Sequence, residues 1–280
     1  MLCGPLQKEV TMNESAIAEA AQLIWQHWSG GTQMSAPPEH CRPANRAEGY
    51  AVQAKVARLS GQTTLGWKIA ASSVAGQKHI NVDGPLAGRL LAHTVFAEGS
   101  AEANAMNVKH NILMVAEPEI VFRMARPLPP FANGASYAVA AVMAAVETLH
   151  LAIEIPDTRY IDFLKVGAPS LIADMACAAL WVVGPAVTAA WRDIDLSQHE
   201  VVAHKNGSFS AKGSGANVLG DPRIALTWIA NELCAYGAGL QAGDYVTTGT
   251  CVVPVPVKRG DTVLMDFGVL GRIAASCASA

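Results

Sequence analysis

The feature that most constrains the fold is a change in sequence pattern after residue 62. Before it, apolar residues recur at helical spacing, and Asn13 or Ser15 and then Asn45 stand where helix N-caps are expected. After it, apolar runs are short and are separated by Gly, Pro, Asn and Asp, which is typical of strands and turns. The sequence therefore predicts a helical segment over residues 1–62 and a larger β-rich body over residues 63–280.

The body should combine many short strands with two helices. Asn206-Gly207 is the strongest turn signal, because this dipeptide favours a two-residue hairpin. The mixture predicts an α+β fold with a mixed, closed or rolled sheet. Strands are predicted at residues 111–122, 151–155, 245–248, 252–257 and 262–267, a hairpin at 201–209, and helices at 136–148 and from 221 to about 237.

Composition excludes several classes of protein. Hydrophobic residues make up 51% of the 280 residues and charged residues only 15%, which excludes disorder and indicates that partner subunits cover part of the surface. A net charge of −3 provides no basic surface for nucleic acid. The apolar run over residues 175–191 is short for a membrane span and is broken by Gly184-Pro185. The six cysteines include no C-x-x-C pair, and the first residues do not resemble a secretory signal. Both observations predict a cytoplasmic protein.

Two glutamates occupy one face of an apolar strand. Glu117 and Glu119 are two residues apart, so their side chains project from the same side, about 6–7 Å apart along the strand. Like charges in such a setting repel each other and lose hydration unless a positive group neutralises them. Pro118 lacks an amide donor, which predicts an edge, a bulge or a strand end at this point.

A third acid, Glu154, is also flanked by apolar residues. Three carboxylates without a thiolate or a clear histidine partner favour a hard cation, Mg²⁺ or Mn²⁺, over zinc. The alternative is that each glutamate forms an ion pair with an arginine. For an E-x-E pattern with a third buried acid, the metal is favoured. The candidate arginines are Arg123, Arg126 and Arg159.

Lys68 lies within an apolar run, between Trp67 and Ile69. A lysine in this setting is paired, extends its ammonium group to solvent, or is functional. Close to three carboxylates it would stay charged and could stabilise an oxyanion or an enolate.

Together these segments resemble the fumarylacetoacetate hydrolase superfamily, in its branch of 2-oxopent-4-enoate hydratases and 4-oxalocrotonate decarboxylases. The resemblance extends from about residue 45 to the C terminus. It rests on the segments 66–69, 117–119, 152–159, 172–174, 213–222, 242–244, 248–250, 254–258 and 266–271.

The resemblance implies a mixed β-roll that holds one Mg²⁺ or Mn²⁺ ion through Glu117, Glu119 and Glu154, with Lys68 in the active site. It further implies that the loop Thr248-Gly249-Thr250 receives the substrate's carboxylate through backbone N–H groups and hydroxyls. The implied activity is that of a lyase on 2-hydroxy-dienoates or 2-oxo-enoates from the degradation of aromatic compounds. The implied partners are a small 2-oxo acid, further copies of the chain in a homo-oligomer, and a paralogous hydratase or decarboxylase subunit.

The chain departs from the hydratase pattern where water and protons would be handled. Leu86, expected to contact substrate, stands where hydratases tend to carry an acid. Met175 and Cys177 replace the asparagine and serine of an Asp-Asn-Ala-Ser motif, and Cys177 is expected in the catalytic set in place of that serine. Asp83 is the nearest remaining acid and a catalytic candidate, with a turn before Gly84-Pro85 as its alternative role.

These replacements leave several functions open. Hydration is the reaction that the resemblance favours. Decarboxylation or other enolate chemistry on 2-oxo acids is favoured by the loss of polar groups, because a leucine cannot transfer protons. A catalytically weakened paralogue that binds a small carboxylate or acts as a scaffold is the remaining alternative.

Overall fold

The computed structural model describes residues 10–279, so residues 1–9 of the predicted helical segment and the last residue of the body lie outside the described part. The α-helices are α1 Glu14–Gly30, α2 Arg46–Ser60, α3 Val74–His79, α4 Val139–Met143, α5 Gly167–Ala173 and α6 Pro222–Ala235. The strands are β1 Thr64–Ala70, β2 Leu86–Leu91, β3 Val95–Ala97, β4 Val115–Met124, β5 Val146–Ile155, β6 Leu180–Ala186, β7 Glu200–Lys205, β8 Ser208–Ser214, β9 Tyr245–Thr250, β10 Val255–Pro256, β11 Thr262–Asp266 and β12 Arg272–Ser276.

Both predicted N-terminal helices form. The side chains of Asn13 and Asn45 each accept a backbone N–H from the first turn of α1 and α2, as an N-cap should. The two helices share one apolar cluster, which contains Ile24 and Val56 and extends to Leu91 of the body. The core is therefore continuous across residues 62 and 63, and the division into two units stays a prediction. Over residues 10–279, no helix combines the length and apolar character needed to cross a membrane.

The strands form two sheets. The larger has the order β2-β1-β9-β4-β5-β6-β3, with β10 paired to β4. Its β1–β9 and β3–β6 pairs are parallel and the others antiparallel. The smaller sheet, β12-β11-β7-β8, is antiparallel and contains the predicted hairpin, where Asn206 and Gly207 have φ values of 51° and 77°. The predicted α+β fold with a mixed sheet is confirmed.

Strand β4 lies in the middle of the larger sheet, and its two sides face different environments. Ile120 and Phe122 belong to the main apolar core, which also holds the buried side of α6. Glu117 and Glu119 project from the opposite side, as the alternation of strand side chains requires. The apolar residues nearest to them form a small separate cluster of Leu90, Val121, Ala152 and Trp181.

Two predictions about this region are wrong in their boundaries. The helix expected over residues 136–148 is limited to α4, because the chain enters β5 at Val146 and pairs with β4. Sheet pairing here overrides the helical preference of the Ala-rich stretch. The strand expected from Asn111 begins at Val115, because the Asn111 side chain accepts the Met114 N–H and forms a turn.

Pro118 lies in a central strand, and of the three predicted settings, an edge, a bulge or a strand end, the structure has an irregular ladder typical of a bulge. The β4–β9 ladder shifts register between Glu119 and Val121, so Pro118 does stand next to an irregularity. Its carbonyl accepts the Cys251 N–H at 2.9 Å. The missing amide donor of proline is tolerated where the ladder is already interrupted.

Candidate active site

Neighbouring strands bring the three acids together. Glu117 of β4 pairs directly with Glu154 of β5, and Glu119 follows on the same face of β4. One oxygen from each carboxylate can be chosen such that all three lie within 4.8 Å of one another. Glu119 and Glu154 are buried, whereas Glu117 is partly exposed. The arrangement is a compact carboxylate cluster with one member open towards solvent.

Lys68 of β1 completes this cluster. Its Nζ donates a hydrogen bond to Glu154 Oε1 at 2.7 Å and lies 5.7 Å from the centre of the Trp181 ring. The residue is only 2% exposed. The alternative in which the ammonium group extends to solvent is therefore wrong.

The arginines that could have neutralised the glutamates are engaged elsewhere. Arg123 forms an ion pair with Glu147, and Arg126 donates to the backbone of Ala144. Arg159 is held by Asp174 through an ion pair and further hydrogen bonds. Among residues 10–279, Lys68 is the cation that pairs with the cluster.

Burial and mutual repulsion shape the ionisation of the cluster. Burial raises the pKa of Glu119 to about 7, with a further contribution from Glu117, against the charge of Lys68. Burial likewise raises the pKa of Glu154 well above its usual range and raises that of Glu117. For Lys68, burial lowers the pKa but the carboxylates, Glu154 foremost, outweigh it, so the net pKa is raised. Lys68 is therefore charged, and its single positive charge does not balance three ionised carboxylates.

The cluster fits a divalent cation. Glu119 Oε1 and Glu154 Oε2 are buried and have no hydrogen-bond partner among the described residues. Buried carboxylate oxygens without partners are costly, and a cation in contact with them would remove that cost. An all-oxygen set suits Mg²⁺ or Mn²⁺. The residues that would hold it are Glu117, Glu119 and Glu154.

In the loop 248–250, which is expected to receive the substrate's carboxylate, most hydrogen-bond donors already have partners within the protein. The Gly249 N–H donates to Glu119 Oε2 at 2.8 Å. The hydroxyls of Thr248 and Thr250 donate to the carbonyls of Ile120 and Val252, each at 2.8 Å. The loop thus supports a predicted metal ligand, while its role in substrate binding stays a prediction.

Leu86 lies on the same sheet face as Lys68. It pairs with Ala70, two residues from Lys68 along β1, and it is fully buried. It belongs to an apolar cluster that also contains Cys177 and Tyr160. The sheet face beside Lys68 is therefore apolar at Leu86, and the expected contact of this residue with substrate stays a prediction.

Cys177 ends an unusual turn. Met175, Ala176 and Cys177 all have positive φ, between 51° and 65°. Consecutive left-handed residues other than glycine are strained, and such strain often accompanies functional sites. Burial raises the pKa of the Cys177 thiol to about 12, so the group is a neutral thiol. The Met175 carbonyl lies so close to Gly88 that a Cβ there would come within 1.9 Å of its oxygen.

The structure does not bring Asp83 into the cluster. Its carboxylate is 73% exposed and forms an ion pair with Arg46 at 2.7 Å. Arg46 also binds Glu232 and the carbonyl of Pro85. This geometry supports the alternative role of Asp83 in the turn and leaves its catalytic role an unsupported prediction.

Sequence reasoning missed two parts of the site. Ser72, just after β1, packs against Gly249, a contact between segments far apart in sequence. Asp174 accepts hydrogen bonds from Thr158 and from the backbone of Arg159, which fixes the strained turn from behind. The sequence motifs included Asp174 only within the segment 172–174, without a role of its own, and no local pattern indicated Ser72.

Comparison with known proteins agrees with this geometry. Residues 70–277 match the family described as fumarylacetoacetate (FAA) hydrolase C-terminal. The chain belongs to this family. It is 29% identical to a 2-keto-4-pentenoate hydratase of Burkholderia vietnamiensis, with 94% of this chain and 98% of that protein covered. It is also 29% identical to a 4-oxalocrotonate decarboxylase of Pseudomonas sp. CF600, over 82% of this chain and 84% of that protein.

A solved structure from the fumarylacetoacetate hydrolase family resembles the whole fold. The 4-oxalocrotonate decarboxylase from Pseudomonas putida G7, complexed with magnesium and adipate, superposes with a TM-score of 0.84 at 26% identity. The comparison covers 96% of this chain and all of that protein. The resemblance stated from the sequence motifs, and the β-roll that it implied, are confirmed.

Proposed function

We propose that this protein is a divalent-metal-dependent lyase of the 2-oxopent-4-enoate hydratase type, acting on 2-hydroxy-dienoates or 2-oxo-enoates. The observation that carries the proposal is the largely buried cluster of Glu117, Glu119 and Glu154 with Lys68, in a chain similar over most of its length to hydratases and decarboxylases. A bound Mg²⁺ or Mn²⁺ would supply Lewis acidity towards the carboxylate and C2 oxygen of a 2-oxo acid.

The residues of the chain would do the remaining work. Lys68 keeps its proton, so it can donate a hydrogen bond from Nζ to negative charge that develops on the substrate. Glu154 holds the ammonium group in place through the 2.7 Å hydrogen bond. Leu86 keeps the sheet face beside Lys68 apolar, because it is fully buried in an apolar cluster.

Decarboxylation is the second candidate, and one observation favours it. Leu86 and the neutral Cys177 thiol occupy positions where hydratases place groups that handle water and protons. Losing a positioned acid or base usually costs about 10²–10⁴ in rate. Loss of CO₂ leaves the electron pair of the broken C–C bond on the substrate as an enolate, which then takes up a proton and requires no attacking water. The similarity to a 4-oxalocrotonate decarboxylase adds support.

One experiment separates the two candidates. The wild type and a Leu86→Asp, Cys177→Ser double variant are incubated with Mg²⁺ and either 2-hydroxypenta-2,4-dienoate or 4-oxalocrotonate, and dienoate absorbance and CO₂ release are followed. Mg²⁺-dependent CO₂ release from 4-oxalocrotonate by the wild type, together with slow hydration that the double variant accelerates, assigns decarboxylation. Fast hydration by the wild type assigns the hydratase. If neither substrate reacts and Mg²⁺ does not promote exchange of the C3 protons of pyruvate, the lyase proposal is wrong.

The proposed assembly follows from composition and similarity. We propose a homo-oligomer, because only 15% of the residues are charged and the surface retains exposed apolar side chains such as Val253 and Val269. Pairing with a paralogous hydratase or decarboxylase subunit is the heteromeric alternative. We also propose a cytoplasmic location, with which the free cysteines among residues 10–279 agree. Light scattering of the purified chain, alone and mixed with such a paralogue, tests both assemblies.

A further inference from the structure

A mostly buried serine beside the carboxylate cluster has a hydroxyl without a partner among the described residues. Ser72 is 5% exposed, and its Oγ makes no hydrogen bond to any residue between 10 and 279. Its backbone is fixed, since the Ser72 carbonyl accepts the Leu219 N–H at 2.7 Å. The Oγ atom itself remains accessible to solvent, so its hydroxyl can donate to a ligand. The side chain is therefore held in position while its donor has no partner within the described chain.

The Ser72 hydroxyl faces the loop that supports the cluster. Gly249 has a φ of 109°, and a Cβ built on it would lie only 1.9 Å from Ser72 Oγ. The N–H of the same glycine donates to Glu119 Oε2. The hydroxyl thus occupies the space beside the backbone that binds a predicted metal ligand, and glycine at 249 is what makes this approach possible.

A special backbone conformation puts the serine there. Ala71 adopts the left-handed region with a φ of 54°, which turns the chain at the end of β1. Its carbonyl accepts a hydrogen bond from the Gln77 side chain at 3.1 Å. A left-handed alanine is unfavourable and persists only where surrounding contacts hold it. Here those contacts direct Ser72 onto Gly249.

The charges in the site indicate that neutral hydrogen-bond donors are needed to bind the substrate's carboxylate. Lys68 and one divalent cation together balance the charges of Glu117, Glu119 and Glu154. A substrate carboxylate then adds a negative charge that no further cation offsets, so hydrogen-bond donors must stabilise it. The hydroxyls of the neighbouring threonines at 248 and 250 already donate to backbone carbonyls.

We propose that Ser72 binds the carboxylate of the 2-oxo acid substrate, with Oγ donating a hydrogen bond to a carboxylate oxygen. This assignment rests on the proposed function and adds to it a substrate-binding residue that the sequence motifs did not indicate. Ser72 takes this role in place of the hydroxyls of Thr248 and Thr250.

Oxalate binding tests the assignment without turnover. Oxalate resembles the carboxylate and C2 oxygen of a 2-oxo acid, and its affinity for the Mn²⁺-loaded protein is measured by calorimetry, after the affinity for Mn²⁺ alone. The variants are Ser72→Ala and Ser72→Gly, and Ser73→Ala is the matched control, because the Ser73 hydroxyl caps α3 and does not face the site. We expect oxalate affinity to fall about 10- to 100-fold in both Ser72 variants, the usual effect of losing one hydrogen bond to a charged group.

Affinity for Mn²⁺ should stay within about twofold of the wild type in all variants, and Ser73→Ala should bind oxalate normally. Equal oxalate affinity in the wild type and the Ser72 variants overturns the assignment while leaving the proposed function intact. A parallel loss of Mn²⁺ affinity would make Ser72 a support for the metal ligands, which also overturns it. A wild type that binds Mn²⁺ but no oxalate refutes the proposed function, and this assignment with it.

Discussion

Replacing Lys68 with methionine tests how much the buried ion pair contributes. Methionine keeps most of the length and volume of the lysine but removes the charge, so Glu154 loses its only ionic partner among the described residues. Both side chains of the pair are at most 3% exposed. Breaking a buried pair from one side usually costs about 3–5 kcal/mol, because it leaves an uncompensated buried charge.

The chain provides a matched control for this change. Lys212 and Glu200 form an ion pair at 2.8 Å, almost the same distance, but their side chains are 62% and 60% exposed. Solvent screens such a pair, and its loss should cost about 1 kcal/mol or less. Lys212→Met therefore separates the effect of burial from the effect of removing a lysine–glutamate contact.

Thermal unfolding with EDTA and with saturating Mg²⁺ is the assay. In EDTA, we expect Lys68→Met to lower the melting temperature by on the order of 10 °C, since 1 kcal/mol corresponds to about 2–4 °C in chains of similar size. Mg²⁺ should recover much of this loss, because the cation supplies positive charge next to Glu154. With Mg²⁺, turnover should still fall by about 10²–10³, as for the loss of one electrostatic stabiliser.

Two results would refute this reasoning. Equal melting temperatures for Lys68→Met and Lys212→Met in EDTA would mean that the pair is not buried as the structure has it. Full turnover by Lys68→Met with Mg²⁺ would remove Lys68 from the reaction while leaving its structural role.

Three further predictions address other parts of the site. Glu119→Gln should weaken Mn²⁺ binding at least about tenfold by calorimetry, because it replaces a charged ligand with a neutral one. Equal Mn²⁺ affinity of this variant and the wild type would contradict the metal assignment. Gly249→Ala should lower both thermal stability and Mn²⁺ affinity, because its φ of 109° disfavours alanine and the new Cβ would meet Ser72; unchanged values for both would contradict the close approach. The pKa of about 12 leaves about one Cys177 thiol in 10⁴ ionised at pH 8, so iodoacetamide should alkylate this residue roughly 10³-fold more slowly in the native than in the unfolded protein. The alkylation rate, followed by peptide mass spectrometry, should rise tenfold per pH unit. Native labelling as fast as unfolded labelling would show that the thiol is not buried.

Several features were accessible from sequence because they depend on near neighbours. An N-cap needs only a side chain and the N–H groups two or three residues ahead, so the starts of α1 and α2 were predicted correctly. The alternation of a strand alone places Glu117 and Glu119 on one face. The Asn206-Gly207 turn is likewise local. The metal hypothesis grew from the same alternation, together with the rule that buried like charges need a counter-charge.

Other features depend on which strands become neighbours, and no local pattern sets that. The ammonium group of Lys68 reaches Glu154 because β9 and β4 lie between their strands in a curled sheet, which places the two side chains on one face. Ser72 meets Gly249 only because β1 and β9 pair in parallel. The sequence by itself determined which residue types could carry the chemistry, whereas strand order and register, fixed by packing across the whole sheet, decided which of them meet.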